Sequence, residues 1–109
     1  NNVASLYLDK LKDLDIKLPK LRDNCRHAYH LFVIRTSNRD GLLKELKKHN
    51  ILAMIHYEKA VHMQHAYKGN YELPLTEKAV SEIISLPIYP ELDEDTVEYI
   101  CERIKNFVK

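Results

Sequence analysis

The sequence predicts an α/β (α+β) two-layer sandwich, a small mixed or antiparallel sheet of about three strands packed with helices. Three observations lead there. With 109 residues the chain can build one hydrophobic core but not two, because a domain this small buries only ~65% of its unfolded surface. Apolar residues at 45% and charged residues at 30% give an ordinary globular balance. Stripes at helical spacing alternate with breaker-free, β-rich runs, in the order helix, strand, helix, strand, loop, helix, short strand, helix.

The first helix is marked by Val3, Leu6, Tyr7, Leu11 and Leu14 at helical spacing, with Lys10, Lys12 and Asp13 on the other face. No initiator methionine and almost no capping sequence precede it, so the chain is expected to be a piece of a longer protein. Ile16 to Leu18 follow, and Pro19 stops any return to helix. Residues 27–35, His-Ala-Tyr-His-Leu-Phe-Val-Ile-Arg, are rich in aromatic and β-branched types and predict a strand. Both parities are apolar (Tyr29, Leu31, Val33 against Ala28, Phe32, Ile34), so both faces are expected to be covered. Ser37 or Asn38 caps a helix running through His49 on a stripe of Leu42, Leu43 and Leu46. Asn50 falls where a helix end wants a left-handed residue.

Ile51 to Tyr57 predicts the second strand, and the helical crossover before it makes the two strands parallel; strand order is otherwise open. Residues 58–74 have no periodicity but contain His62, His65, Tyr67, Gly69 and Tyr71. Long ordered loops in compact domains tend to be functional, and this aromatic content argues against plain disorder. After Pro74, Thr76 caps a helix on Ala79, Val80, Ile83 and Ile84. Leu86-Pro87-Ile88-Tyr89-Pro90 suits a short edge strand, since proline cannot donate to a central ladder. Asp93 caps the last helix, whose apolar face is Val97, Ile100, Cys101, Ile104 and Val108. Its acids lie in the first turn and its bases toward the end, matching the helix dipole.

Several function classes are closed by composition. Seventeen basic against 16 acidic residues leave a net charge of +1, too little to hold nucleic acid by phosphate neutralisation. No apolar run approaches the ~20 residues that span a bilayer, and no secretory leader is visible, so a cytoplasmic protein without a membrane partner is expected. Cys25 and Cys101 are too few for a disulfide scaffold and are expected to be reduced. His27 and His30, three apart on a strand, point to opposite faces and cannot chelate. His62 and His65 can meet on a helical turn, with Glu58 or His56 as a third ligand, but no recognised spacing completes the set and no metal is expected. Nothing around Cys25 and His27 marks an activated thiol. Gly41 and Gly69 stand alone, so there is no phosphate loop.

What remains is His56 and Tyr57, at the end of the second predicted strand where it opens onto the long loop. Imidazole and phenol hydrogen-bond well to hydroxyls and phosphate oxygens, and together they make a ligand lip. Spacing alone leaves the alternative that Tyr57 covers the core edge while His56 points to solvent.

Several blocks in order resemble one family. Ala4-x-x-Tyr7-x-x-x-Leu11 followed by Leu18-Pro19 resembles the end of the long interdomain helix of DegT/DnrJ/StrS-type enzymes, the pyridoxal phosphate (PLP)-dependent nucleotide-sugar aminotransferases of fold type I. His27 to Arg35 is similar to the family's first small-domain strand, and Arg39-Asp40-x-Leu42 to the opening of its next helix. Ile55-His56-Tyr57 with His62-x-Gln64-x-Ala66-Tyr67 resembles the family's loop. Leu73-Pro74-x-Thr76-Glu77 and Ser85-Leu86-Pro87-Ile88-Tyr89-Pro90-Glu91-Leu92 resemble its closing blocks. The departures are Glu58, Ala60 and His65, where members often carry proline, and Asn50, where they carry glycine.

The resemblance implies that residues 1–18 are the end of an interdomain helix and 19–109 a C-terminal small domain. It implies a parent enzyme that moves an amino group, usually from glutamate, to a keto-sugar on a nucleotide carrier, and that works as a homodimer with active sites between subunits. The lysine that holds PLP then lies in a large domain outside this chain. The chain alone is expected to bind no cofactor and to be inactive, with no catalytic, cofactor-binding or metal residue of its own. His56 and Tyr57 match the family's His-Tyr block and are expected to line the sugar or nucleotide side of the cleft as hydrogen-bond donors. The competing class is a stand-alone interaction or regulatory module on the same domain, without catalysis.

Overall fold

Helix α1, Asn2–Leu11, opens the chain in a computed structural model that describes residues 1–67, 69 and 71–109. Its Ala4, Tyr7 and Leu11 are buried at intervals of three and four, the spacing that puts side chains on one helical face. That face meets α4, Glu94–Val108, whose Val97, Ile100, Cys101 and Ile104 are buried in turn. Asp93 caps α4 as predicted, its Oδ1 accepting the Thr96 N–H at 2.7 Å. Val108 is only half-buried.

Strand β1 is Phe32–Arg35, far shorter than the predicted 27–35. The lost part is local chemistry overriding β propensity. Tyr29 has φ 48°, and its N–H donates to His27 Nδ1 at 2.8 Å while the two rings stack at 4.2 Å. A side chain that captures a backbone N–H two residues on competes with the ladder. The expectation of cover on both faces is met in part: Phe32 and Ile34 are buried, whereas Val33 and Arg35 are half-buried.

Helix α2, Arg39–Lys48, starts after Asn38, although the Asn38 side chain makes no capping bond. Its end is as predicted, with Asn50 left-handed at φ 58°. The Asn50 N–H donates to Lys47 O and the Ile51 N–H to Leu46 O, the paired bonds of a Schellman motif. Ile51, buried with Leu46, supplies the apolar contact that accompanies it.

The predicted second strand, 51–57, is reduced to a single antiparallel bridge between Met54 and Ser85. Beyond the turn at Asn50, the Ala53 N–H bonds to Ile51 O and takes a donor out of the extended run. Residues 58–74 carry short 3-10 turns at Val61–Met63 and His65–Tyr67; Lys68 and Asn70 lie outside the described residues.

Helix α3, Pro74–Glu82, begins with proline at its first position, where a missing N–H costs nothing, so Thr76 lies inside the helix and is not its cap. Ile83 and Ile84, expected on the helical stripe, instead begin strand β2, Ile83–Leu86. β-branched residues favour the strand when a partner is at hand. The edge strand predicted at 86–90 is thereby displaced toward the N-terminus, and pairing stops at Leu86, before Pro87.

Strands β1 and β2 are antiparallel, in register Phe32↔Leu86, Val33↔Ser85, Ile34↔Ile84 and Arg35↔Ile83. Since Met54 bridges β2 from its other edge, the 51–57 segment runs parallel to β1 but is separated from it by β2. A Lys17↔Arg35 bridge extends the outer edge of β1. Phe32, Ile34, Ile84 and Leu86 face the core with α1, α2 and α4. Val33, Arg35, Ile83 and Ser85 form the opposite, outer face. This is the expected layered arrangement of helices on a small sheet, with two true strands in place of three.

Candidate functional site

The outer face of the sheet positions His56. Met54 is tied to β2 by two backbone bonds, Met54 N–H to Ser85 O at 3.0 Å and Ser85 N–H to Met54 O at 2.7 Å. Two residues on, the His56 ring returns to the same strand, and its Nδ1 lies 2.9 Å from Ser85 Oγ. Ser85 is 5% exposed and His56 is half-buried. The peptide bond from His56 to Tyr57 is cis. Tyr57 is 73% exposed, its ring edge-on to the imidazole at 5.7 Å between centroids. His56 is thus anchored to β2 while Tyr57 stands open beside it, and the pair follows a bridge residue and not a strand end.

After Tyr57 the chain carries a run of exposed apolar side chains, Val61, Met63, Tyr67, Tyr71, Leu73 and Leu75. Exposed apolar surface of this extent marks an interaction or ligand face. A surface contact ties this run to α3. His62 Nε2 lies 3.0 Å from Glu77 Oε1 on α3, and the same oxygen accepts the Leu73 N–H at 3.2 Å. The His62 hydrogen bond, followed by that of Leu73, holds the Glu77 carboxyl below the usual glutamate range.

At the other edge of the same face the Arg35 guanidinium grips Glu82, with Nε at 3.0 Å and Nη2 at 2.7 Å from Oε2. This bond lowers the Glu82 pKa. A groove of about 640 Å³ continues from there, lined by Lys12, Lys17, Lys20, Val33 and Arg35.

The other candidates disperse. His62 engages Glu77 while His65 is exposed, and among the described residues no three potential ligands converge on a metal position. His27 Nδ1 accepts the Tyr29 N–H, Cys25 is exposed, and burial pushes the Cys101 thiol up to about 11. The residues that sequence reasoning missed are Ser85 and the His62–Glu77 pair. Ser85 had a readable signal, as the lone hydroxyl inside the apolar run Ile83 to Leu86; a buried polar group needs a partner.

A PLP site needs an amine for the aldehyde, an anion cradle for the phosphate and an acid at the ring nitrogen. The described residues do not assemble one. In the cationic groove Lys12 and Arg35 are already paired with Asp9 and Glu82, and Lys17 and Lys20 lie exposed. Gly41 stands alone in the first turn of α2 and Gly69 in the loop, so neither belongs to a glycine-rich phosphate turn.

A small antiparallel sheet clad by helices in this arrangement is found in aminotransferases of known structure. The chain belongs to the DegT/DnrJ/EryC1/StrS aminotransferase family, whose sequence profile it matches over residues 1–105. It is 35% identical over 107 residues to the dTDP-3-amino-3,6-dideoxy-alpha-D-galactopyranose transaminase of Aneurinibacillus thermoaerophilus, covering 96% of this chain and 30% of that protein. It is 36% identical over 95 residues to a pleiotropic regulatory protein of Geobacillus stearothermophilus, covering 84% and 26%. A DegT/DnrJ/EryC1/StrS aminotransferase from Brucella abortus superposes with a TM-score of 0.90 at 36% identity, over 98% of this chain and 30% of that one. NtdA of Bacillus subtilis, solved with bound cofactor PMP, superposes with a TM-score of 0.86 at 25% identity, over 98% and 27%. The chain thus spans about 30% of the length of the first of these relatives. Among the described residues no helix is long and apolar enough to cross a membrane.

Proposed function

We propose that this chain is the C-terminal small domain of a cytoplasmic, homodimeric, PLP-dependent aminotransferase that acts on a nucleotide-linked keto-sugar with glutamate as donor. Residues 1–18 are then the end of the interdomain helix and 19–109 the domain proper. The observation that carries the reading is the His56-Tyr57 lip, fixed to β2 through Ser85 on the sheet face opposite the core, in a chain matched to the family nearly end to end. His56 and Tyr57 bind substrate by donating hydrogen bonds to sugar or nucleotide oxygens, and the apolar run beyond them excludes water from the cleft. PLP supplies the chemistry that carries the amino group. Its site is made by residues outside this chain, so the chain alone is inactive.

The test is made in the parent enzyme. His56→Ala and Tyr57→Phe are expected to impair use of the sugar nucleotide more than the half-reaction with glutamate, each by roughly 1–3 kcal/mol in kcat/KM. Equal damage to both half-reactions goes against the assignment and indicates lost folding. A regulatory module without catalysis draws on the name of the Geobacillus relative, but this chain covers only 26% of that protein, so the name does not attach to a stand-alone domain. Transamination by the purified parent protein separates the two readings.

A further inference from the structure

We infer that Ser85 is a positioning residue whose hydroxyl sets the tautomer of His56, so that the ring presents Nε2–H to the cleft and takes an acceptor oxygen of the substrate. The inference rests on the reading of His56 as a substrate-binding residue. It starts from a proton that must be placed. A serine hydroxyl brings one donor proton together with acceptor capacity. Ser85 is buried in β2, and His56 Nδ1 at 2.9 Å is the hydrogen-bond partner of its side chain among the described residues.

Two arrangements satisfy that distance. With the proton on Nδ1, the imidazole donates to Oγ and the hydroxyl proton is left buried without an acceptor, a state that folded proteins avoid. With the hydroxyl donating to Nδ1, both groups are satisfied, and in the neutral ring the remaining proton sits on Nε2. The second arrangement follows.

The backbone makes the placement firm. Ser85 exchanges both its main-chain bonds with Met54, which fixes the chain two residues before His56. Val33 stands opposite Ser85 in the β1 register, so Ser85 is held between two neighbouring chains. The ring is thus held at Nδ1 with Nε2 pointing away from the strand. A donor in this position selects a hydroxyl, carbonyl or phosphate oxygen and disfavours an ammonium group, so the polarity of the substrate contact is written in β2.

The experiment uses the full-length parent enzyme, with the dTDP-linked amino sugar that the wild type deaminates as probe. Ser85→Ala removes the hydroxyl, and is expected to raise KM for the sugar nucleotide about three- to tenfold. Its kcat and its glutamate half-reaction are expected to stay within about twofold of wild type. Ser85→Thr keeps the hydroxyl and restores KM. In 15N-histidine-labelled wild-type enzyme, nitrogen chemical shifts are expected to show His56 as the Nε2–H tautomer, and Ser85→Ala to show a mixture. An Nδ1–H ring in the wild type, or an unchanged KM in Ser85→Ala, overturns the inference. His56→Ala tells the two failures apart: if it raises KM while Ser85→Ala does not, only the inference falls, and if neither raises it, the substrate-binding reading falls as well.

Discussion

Tyr7 is fully buried, and its hydroxyl donates to Pro87 O at 2.9 Å while its ring lies 4.9 Å from that of Phe32. Burial pushes its pKa far above the usual tyrosine value, as expected of a phenol that works as a neutral donor. Pairing in β2 ends at Leu86, so this bond satisfies a carbonyl just past the ladder. Tyr7→Phe is expected to strand that carbonyl and cost about 1–3 kcal/mol, read from the urea unfolding midpoint; an unchanged midpoint goes against the account. At this scale the sequence was legible for burial and silent for pairing. Tyr7 lay on the predicted stripe, but nothing local announces a partner 80 residues away. His56 and Tyr57 stood out by type and position, whereas Ser85 is recognised only once the fold brings β2 beneath the imidazole.

Among the elements the helices were read well, because a repeat of 3.6 accumulates over ten or more residues. α4 shows this most clearly, with its buried face and its Asp93 cap both visible in the sequence. The cap also titrates. The Thr96 N–H holds the Asp93 carboxyl below the usual aspartate range. A carboxylate with a lowered folded pKa adds stability above its unfolded pKa and loses it as pH falls through the folded value. Stability is therefore expected to drop in acid below the ordinary aspartate value. Asp93→Asn, which still caps, is expected to keep the neutral-pH midpoint and flatten the acid slope, as measured by unfolding across pH. An unaltered slope removes Asp93 from the linkage. Strands were read poorly because a run of four or five residues carries too little pattern to resist local competition. The His27–Tyr29 turn took five residues from β1, and Ile83 and Ile84 fitted the stripe of α3 equally well until β1 supplied a partner.

For the molecule as a whole, the contrast is between a well-filled core and an open side. Tyr57, Val61 and Leu75 are each more than 70% exposed. A surface of this kind needs cover, and the isolated 109-residue chain is expected to self-associate with rising concentration in sedimentation velocity. Tyr57→Ser with Leu75→Lys is expected to suppress that association; a single monomer boundary in the unaltered chain at every concentration goes against it. The layered architecture was legible at this scale, through alternating periods and through family resemblance. The topology was not, because β2 lies between β1 and the 51–57 segment and only long-range pairing reveals it. One junction ties these scales together. Glu82 ends α3 and Ile83 begins β2, with no linker between them. The apolar run is tied to α3 through Glu77, and His56 is anchored to β2 through Ser85, so both grip one continuous, slack-free spar. Inserting a single amino acid at that joint rotates Ser85 into the oily interior and swings Ile84 outward, unseating the imidazole without altering any side chain that touches a ligand.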